Sequence, residues 1–443
     1  MDHNAYRSTR DHRYITCNLA IDSKRRGAYL RPSLACFFFV HQSNHAGYQL
    51  LQRRHPNNVV HYKNMMMNLE VRWLNALDEI AADIWDSLHD GSNPFLTHAF
   101  LSGLEQYGCL RPSWGWEPLH LTLWDNSTLV AAAPGYLKYN SHGEFVFDHA
   151  WAQAYALQRQ AYYPKWLCGI PYSPVTGPRL LALDTAKRQA LLTAVQARVT
   201  QDNLSSAHIN FHTDEEEITF GTTDDGWLAR SDVQYHWCNI AGWPDFDTFL
   251  ATMDHKHRKN IRQERAKVAR TGVRIQSIHG DEATPIELKA MHHFYVNTFH
   301  QYGNVPALTL PFLTHLAKTI PRQLVLFMAT LNGKLIGGSL CLRGAKTLYG
   351  RHWGGAALPG LHFETCYYQG IDYCLREGLT RFEPGAQGKH KIARGFLPTE
   401  VRSRHWISDP RFRIPLAHWC ATERIAITAH MHELIAHSPF RKD

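Results

Sequence analysis

Leu324-Val325-Leu326-Phe327-Met328-Ala329-Thr330-Leu331-Asn332-Gly333-Lys334-Leu335-Ile336-Gly337-Gly338-Ser339-Leu340-Cys341-Leu342 is the stretch that decides the fold. Two apolar runs flank Asn-Gly, whose residues accept the positive φ of a two-residue turn, so the segment reads as a β-hairpin. A third antiparallel strand is expected over 346–353. A helix over 361–377 follows, ending near Gly378, and then a strand over 380–383. Upstream, helical spacing predicts helices over 246–269 and 284–299. The order is therefore helix, helix, three antiparallel strands, helix, strand.

The first half repeats that order without repeating its sequence. Leu77, Ile80, Ala81, Ile84, Trp85 and Leu88 fall at helical spacing, and a second helix is expected over 95–107 after Asn93-Pro94. Asp125-Asn126-Ser127 separates apolar runs 119–124 and 128–137, a second hairpin. A strand over 144–147, an aromatic helix holding Trp151 and Tyr155, a buried strand over 165–170, a helix over 185–199 and a strand over 208–212 complete it. Gly242-Trp243-Pro244 makes a natural joint. This order resembles that of an acyltransferase module of the GNAT type. The expected class is mixed α/β, with two such modules in tandem and largely antiparallel sheets. Their bounds are 65–240 and 241–420, with a C-terminal helix or tail over 421–443.

The chain has 443 residues, 44% of them apolar and 12% aromatic, which supports packed cores and excludes a largely disordered chain. The longest apolar run of the leader, Ala35–Val40, is far too short to span a bilayer. Nine Cys occur without any CxxC spacing, which suits reduced thiols in a cytoplasmic protein better than a disulfide framework. No H-E-x-x-H spacing occurs, so no metal site is expected, and no GxSxG elbow supports a serine hydrolase. Residues 1–64 hold ten Lys/Arg and three Asp, seven of the eight net positive charges. That leader lacks sustained periodicity and is expected to be a tail or sequence upstream of a start at Met65–Met67. The remaining chain is nearly neutral, so net charge gives little reason to expect a polyanion partner.

Several runs resemble the FemAB-like family of peptidoglycan biosynthesis/recognition proteins. They are Asn93-Pro94-Phe95-Leu96-Thr97-His98-Ala99-Phe100-Leu101, Tyr162-Tyr163-Pro164-Lys165, and Thr176-Gly177-Pro178-Arg179-Leu180. The run His362-Phe363-Glu364-Thr365-Cys366-Tyr367-Tyr368-Gln369 and the block Phe382-Glu383-Pro384-Gly385-Ala386-Gln387-Gly388, continuing through His390 to Phe396, belong with them. The resemblance covers about residues 68–418. It implies acyl or aminoacyl transfer to an amine acceptor, small or peptide-like, such as a peptidoglycan precursor. Acyl-CoA or aminoacyl-tRNA would be a co-substrate and not a tightly bound cofactor. A recognition module that keeps the cleft without turnover is the alternative. Lys389 stands where the family pattern has an acidic residue, so no base is expected there.

Amide-forming acyl transfer needs a held carbonyl, a neutral amine and donors for the developing oxyanion. Gly385, Ala386 and Gly388 permit close backbone approach to a ligand, Gln387 lies among them, and Gly385, Gln387 and Gly388 are candidates for holding the co-substrate ahead of the cations that follow. His390 is the candidate for handling the proton, with Lys391 and Arg394 neutralising phosphate or oxyanion charge. Arg351-His352-Trp353-Gly354-Gly355-Ala356 matches the R/Q-x-x-G-x-G/A string of GNAT enzymes, which makes Arg351, Gly354 and Ala356 candidates for holding a CoA pyrophosphate. Asp148, Trp151, Tyr155 and Arg179 are expected to line a substrate pocket. Arg258, Arg262 and Arg265 share a helical stripe that fits either a solvated face or contact with tRNA.

Overall fold

The computed structural model describes residues 69–221, 226–386 and 388–441. The leader, Met65–Met67 and Gln387 lie outside the described residues. The deciding hairpin pairs Leu324–Leu331 with Lys334–Arg343, closing at Leu331↔Lys334 over Asn332 (φ 50) and Gly333 (φ 75). Thr347–Gly355 adds the third antiparallel strand, and Arg381–Glu383 lies parallel to its beginning. An edge strand, Arg274–His279, was not expected; its Ile275 and Ile278 are half-buried beside Leu324–Leu331.

These strands belong to one mixed, eleven-stranded sheet. Its order is Arg274–His279, Leu324–Leu331, Lys334–Arg343, Thr347–Gly355, Arg381–Glu383, Trp227–Cys238, Leu397–Ile407, Ser206–His212, Lys165–Cys168, Gly135–Lys138 and Trp116–Pro118. The two halves of the chain exchange strands at its centre. Trp227–Cys238 of the first half pairs with Arg381–Glu383 of the second, through Arg381↔Cys238 and Phe382↔Trp237. Leu397–Ile407 of the second half is inserted between Trp227–Cys238 and Ser206–His212 of the first. The sheet therefore runs through the joint expected at 241. The boundary expected at 420 falls inside the helix Pro410–Ile435, whose Phe412, Leu416, Trp419 and Cys420 pack with Trp151 and Tyr155.

A smaller sheet holds Leu69–Leu74, His120–Asp125, Thr128–Ala133 and Leu181–Ala182. Its hairpin is the one expected around Asp125-Asn126-Ser127. The run 128–137 is divided, however, because Pro134 has no N–H to donate; Gly135–Lys138 leaves for the large sheet. No strand forms at 144–147: Phe145 has φ 63, and Glu144 turns inward to Lys165. Two long helices are also broken. The helix expected over 246–269 becomes Phe246–Ala251 and His255–Ala269, the second capped by Asp254 on the His257 N–H at 2.8 Å. The region 77–88 becomes a 3₁₀ turn, Leu77–Glu79, and the short helix Ala82–Asp86.

One face of the second-half sheet packs on Leu361–Phe363 and Gln369–Arg376, which are joined by a π-helical turn, Glu364–Tyr368. The other face meets helices Pro285–Gln301 and Leu310–Thr319 together with Phe95 and Phe100 from the first half. Among the described residues, no helix is long and apolar enough to cross a membrane.

Candidate active site

The parallel pairing of Thr347–Gly355 with Arg381–Glu383 runs only from Thr347↔Arg381 to Tyr349↔Glu383; the register carries no pair beyond it. The sheet opens at that point. A β-bulge sits at the same level: Leu340 pairs with His352 and Cys341 with Gly350, so Arg351 is the extra residue and its side chain is re-aimed. Arg351 donates to the Tyr172 carbonyl at 2.7 Å, and its guanidinium lies 5.9 Å from the Phe95 ring.

Tyr349 and Glu383 are register partners, so their side chains share a sheet face. The Tyr349 ring meets Phe95 edge-on at 5.1 Å, which identifies that face as the one covered by the first half. Glu383 is 4% exposed. It is ion-paired with Arg381 at 3.1 Å and accepts the Thr176 backbone N–H, while its Oε2 has no hydrogen-bond partner among the described residues. Burial pushes its carboxyl up to about 7, against the pull of Arg381, Arg351 and Arg179. Arg381 also reaches His236 Nδ1 at 2.9 Å, and His236 meets Gln234 at 3.2 Å.

Lys391 lies at the same opening. Its amine donates to the Gly385 carbonyl at 2.7 Å and is 2% exposed; burial pushes it down to about 7. Gly385 and Gly388 hold φ +95 and +121, conformations that favour glycine and let the chain turn back over Lys391. Lys391, expected as a cation for phosphate or oxyanion charge, is a buried amine. His390, by contrast, is exposed, with Nε2 3.0 Å from the Tyr367 hydroxyl. Arg394 is committed elsewhere. Its Nη2 meets both oxygens of Glu264 at 2.8 and 2.9 Å, Nη1 donates to the His390 carbonyl, and the guanidinium lies 3.6 Å from the Phe363 ring. It fastens the turn Lys389–Arg394 to the helix His255–Ala269.

The phosphate-cradle reading of Arg351, Gly354 and Ala356 is overturned by the same geometry. The string runs along a strand through Gly355 and does not open a helix, and the Ala356 N–H donates to the Ile336 carbonyl at 2.7 Å. Gly354 is glycine for packing: a Cβ there would stand 2.0 Å from the Phe294 carbonyl oxygen.

The expected substrate residues of the first half are structural. Arg179 is fully buried and spends its guanidinium on the carbonyls of Asn210, Gly177, Pro178 and Val175, folding its own loop. Trp151 and Tyr155 are aromatic core under the C-terminal helix, with Tyr155 stacked on Phe412 at 3.7 Å. Asp148 is bonded to Lys165, to the Ser141 hydroxyl and to the Tyr162 hydroxyl. Burial opposes its charge, but Lys165 and these donors hold the carboxyl down to about 2. Of the arginine stripe, Arg265 is tied to Asp372 at 2.6 Å and Glu364 at 3.2 Å. Arg258 donates to the Met253 carbonyl and Arg262 is exposed beside Asp247. A single three-arginine contact surface for tRNA is not formed.

On the Phe95 face, a small void of about 20 Å³, room for about one water, lies between the two halves. Phe95, Phe100, Met291, Leu313 and Leu340 contribute to its walls, and Arg351 and His352 mark its sheet end. The residues that sequence reading missed are Glu383 and the partners of Lys391. A visible signal existed: a Glu between Phe382 and Pro384, in a strand otherwise expected to be buried, is costly to bury without a purpose.

The FemAB-like family model, described as peptidoglycan biosynthesis/recognition, matches residues 76–442, and the chain belongs to that family. No curated protein matches the sequence closely enough to count as a relative. Among solved structures, FemX is similar over 77% of this chain and 99% of its own, at 10% identity and TM-score 0.48. A tandem GNAT protein from the clavulanic acid biosynthesis pathway covers 77% and 99% at 13% identity and TM-score 0.40. L-PGS from Bacillus licheniformis covers 65% and 86% at 8% identity and TM-score 0.41.

Proposed function

We propose that this protein transfers an acyl or aminoacyl group to an amine acceptor related to peptidoglycan, at the opening between Thr347–Gly355 and Arg381–Glu383. One observation carries the reading: where the sheet parts, Glu383 ends its strand with a buried carboxyl oxygen that has no partner among the described residues, and the buried Lys391 amine is held on the Gly385 carbonyl two residues further on. Both titrate near neutrality, where groups that exchange protons during catalysis are most effective. Glu383 takes the proton of the attacking amine. The amine nitrogen bonds to the donor carbonyl carbon, and the ester or thioester bond to the carrier breaks. Lys391, as ammonium, stabilises the oxyanion and gives its proton to the leaving oxygen or sulfur. His390, exposed beside Tyr367, is positioned to meet the donor carrier at the rim.

The donor is acyl-CoA or aminoacyl-tRNA, and the reaction belongs in the cytoplasm, where both are made. Arg262, exposed on His255–Ala269, is the member of the arginine stripe left for a tRNA phosphate. The test is steady-state transfer to an amine with each donor, in the unaltered protein and in Glu383→Gln and Lys391→Met. Loss of product in both variants with retained melting temperatures supports the assignment; turnover like that of the parent overturns it. Saturable donor binding without any product would favour a recognition module.

A further inference from the structure

We propose that His236 is a positioning residue for the base of the reaction: by accepting Arg381 Nη2 it keeps that guanidinium from closing as a fork on Glu383, and leaves Oε2 open to the proton of an amine. This rests on the transferase reading and names what holds its base ready. Arg381 and Glu383 stand two apart on one strand, and Arg381 is the register partner of Cys238, which stands two residues from His236. The side chains of Arg381, Glu383, His236 and Gln234 therefore share one face of the sheet, the one on which Tyr349 meets Phe95.

Chemistry fixes the direction of each hydrogen bond on that face. A guanidinium only donates, so His236 Nδ1, 2.9 Å from Arg381 Nη2, accepts. The ring then carries its proton on Nε2, which donates to Gln234 Oε1 at 3.2 Å, and Gln234 Nε2 donates to the Pro174 carbonyl at 2.8 Å. Burial, with the charges of Arg381 and Lys391, holds the imidazole well below its usual range, so it stays an acceptor at neutral pH. The chain of bonds closes on itself, because Pro174 belongs to the first-half loop whose Thr176 N–H meets Glu383. With Nη2 drawn to His236, Arg381 turns Nε to Glu383, 3.1 Å from Oε1 and without hydrogen-bond alignment, and Oε2 has no partner among the described residues. A fork on both oxygens would stabilise the carboxylate and make it a weaker base.

Nitrogen-15 NMR of the unaltered full chain is the first test: His236 should remain the neutral Nε2–H tautomer between about pH 6 and about pH 9. A proton on Nδ1, or an imidazolium in that range, would overturn the proposal without any variant. Carbon-13 titration of the Glu383 carboxyl, assigned with Glu383→Gln, is the second. His236→Leu should move its midpoint down by about one pH unit or more, while Arg351 and Arg179, the other charges facing Glu383, are untouched. His236→Asn, which keeps an oxygen near the place of Nδ1, should return the midpoint to that of the parent. In transfer assays the rising limb of kcat/KM should move with the carboxyl, and kcat should fall about tenfold in His236→Leu with KM within about twofold. A midpoint unchanged in His236→Leu, or displaced equally in His236→Asn, would overturn the positioning role and leave the transferase reading standing. The expected carboxyl displacements in a protein that makes no product with any donor would do the reverse.

Discussion

The two halves of the chain each bury a carboxyl and a lysine, and only one of them leaves the charges available. In the first half, Lys165 joins Glu144 at 2.8 Å and Asp148, and Lys138 lies over the Trp116 ring at 3.7 Å. Burial pushes Glu144 up to about 7 and Lys138 down to about 7. In the second half, Glu383 and Lys391 show the same opposed displacements. The first cluster sets two carboxylates against two amines and is sealed by Tyr162, Tyr163 and Trp116. The second lies at an opening in the sheet, with the bulged Arg351 beside it. Perturbed titration therefore marks buried ionisable groups in both halves, and only the broken strand pairing distinguishes the candidate site.

The hardest test of that contrast is Lys165→Met. It strands Asp148 and Glu144 without their cation, and should cost about 3–5 kcal/mol of stability in urea unfolding. Glu383→Gln should reverse the pattern, lowering kcat about 10²-fold, or ~2.7 kcal/mol of activation, with little change in melting temperature. A comparable loss of stability in Glu383→Gln would make the second cluster as structural as the first. Arg394→Ala belongs with the stability effects: it leaves Glu264, which is partly exposed, without its partner, and should cost about 2 kcal/mol.

The pH dependence separates the clusters further. A carboxyl raised from 4.5 to about 7 makes the folded state bind more protons between those values, so stability falls as pH rises across that window. Glu144→Gln should remove its share of that fall and leave the pH profile of kcat/KM unchanged. That profile should rise through about pH 7 as Glu383 ionises and fall as Lys391 loses its proton; Glu383→Gln should flatten the rising limb. The smallest effect is expected at Arg262→Ala, within about 0.5 kcal/mol of the parent in stability, because its partner Asp247 is solvent-exposed.

Local signals carried much of the architecture. Asn332-Gly333 marked its turn, the second-half strands fell close to their expected positions, and the motifs around Asn93 and Gly385 carried the family. What stayed hidden was long-range. Nothing in the composition of 227–238 or 397–407 says that each strand completes the sheet of the other half, since a buried strand reads the same beside either neighbour. The Asp148, Trp151 and Tyr155 group was read as a pocket wall because aromatics beside a carboxylate fit a pocket and a core equally well. Lys391 and Arg394 were assigned the same role, neutralising phosphate or oxyanion charge. Tertiary contacts alone separate a buried amine facing a carbonyl from an arginine paired with Glu264.

The exchange of central strands bears on how the protein is made. As the chain leaves the ribosome, Ser206–His212 and Trp227–Cys238 emerge early, yet the strand that separates them, Leu397–Ile407, comes after every other strand of the sheet. Until then the nascent first half exposes two unfilled ladder edges, the kind of surface that recruits foreign strands. The sheet centre can therefore close only once Leu397–Ile407 has been made, and a chain terminated before it would leave those edges open to other chains.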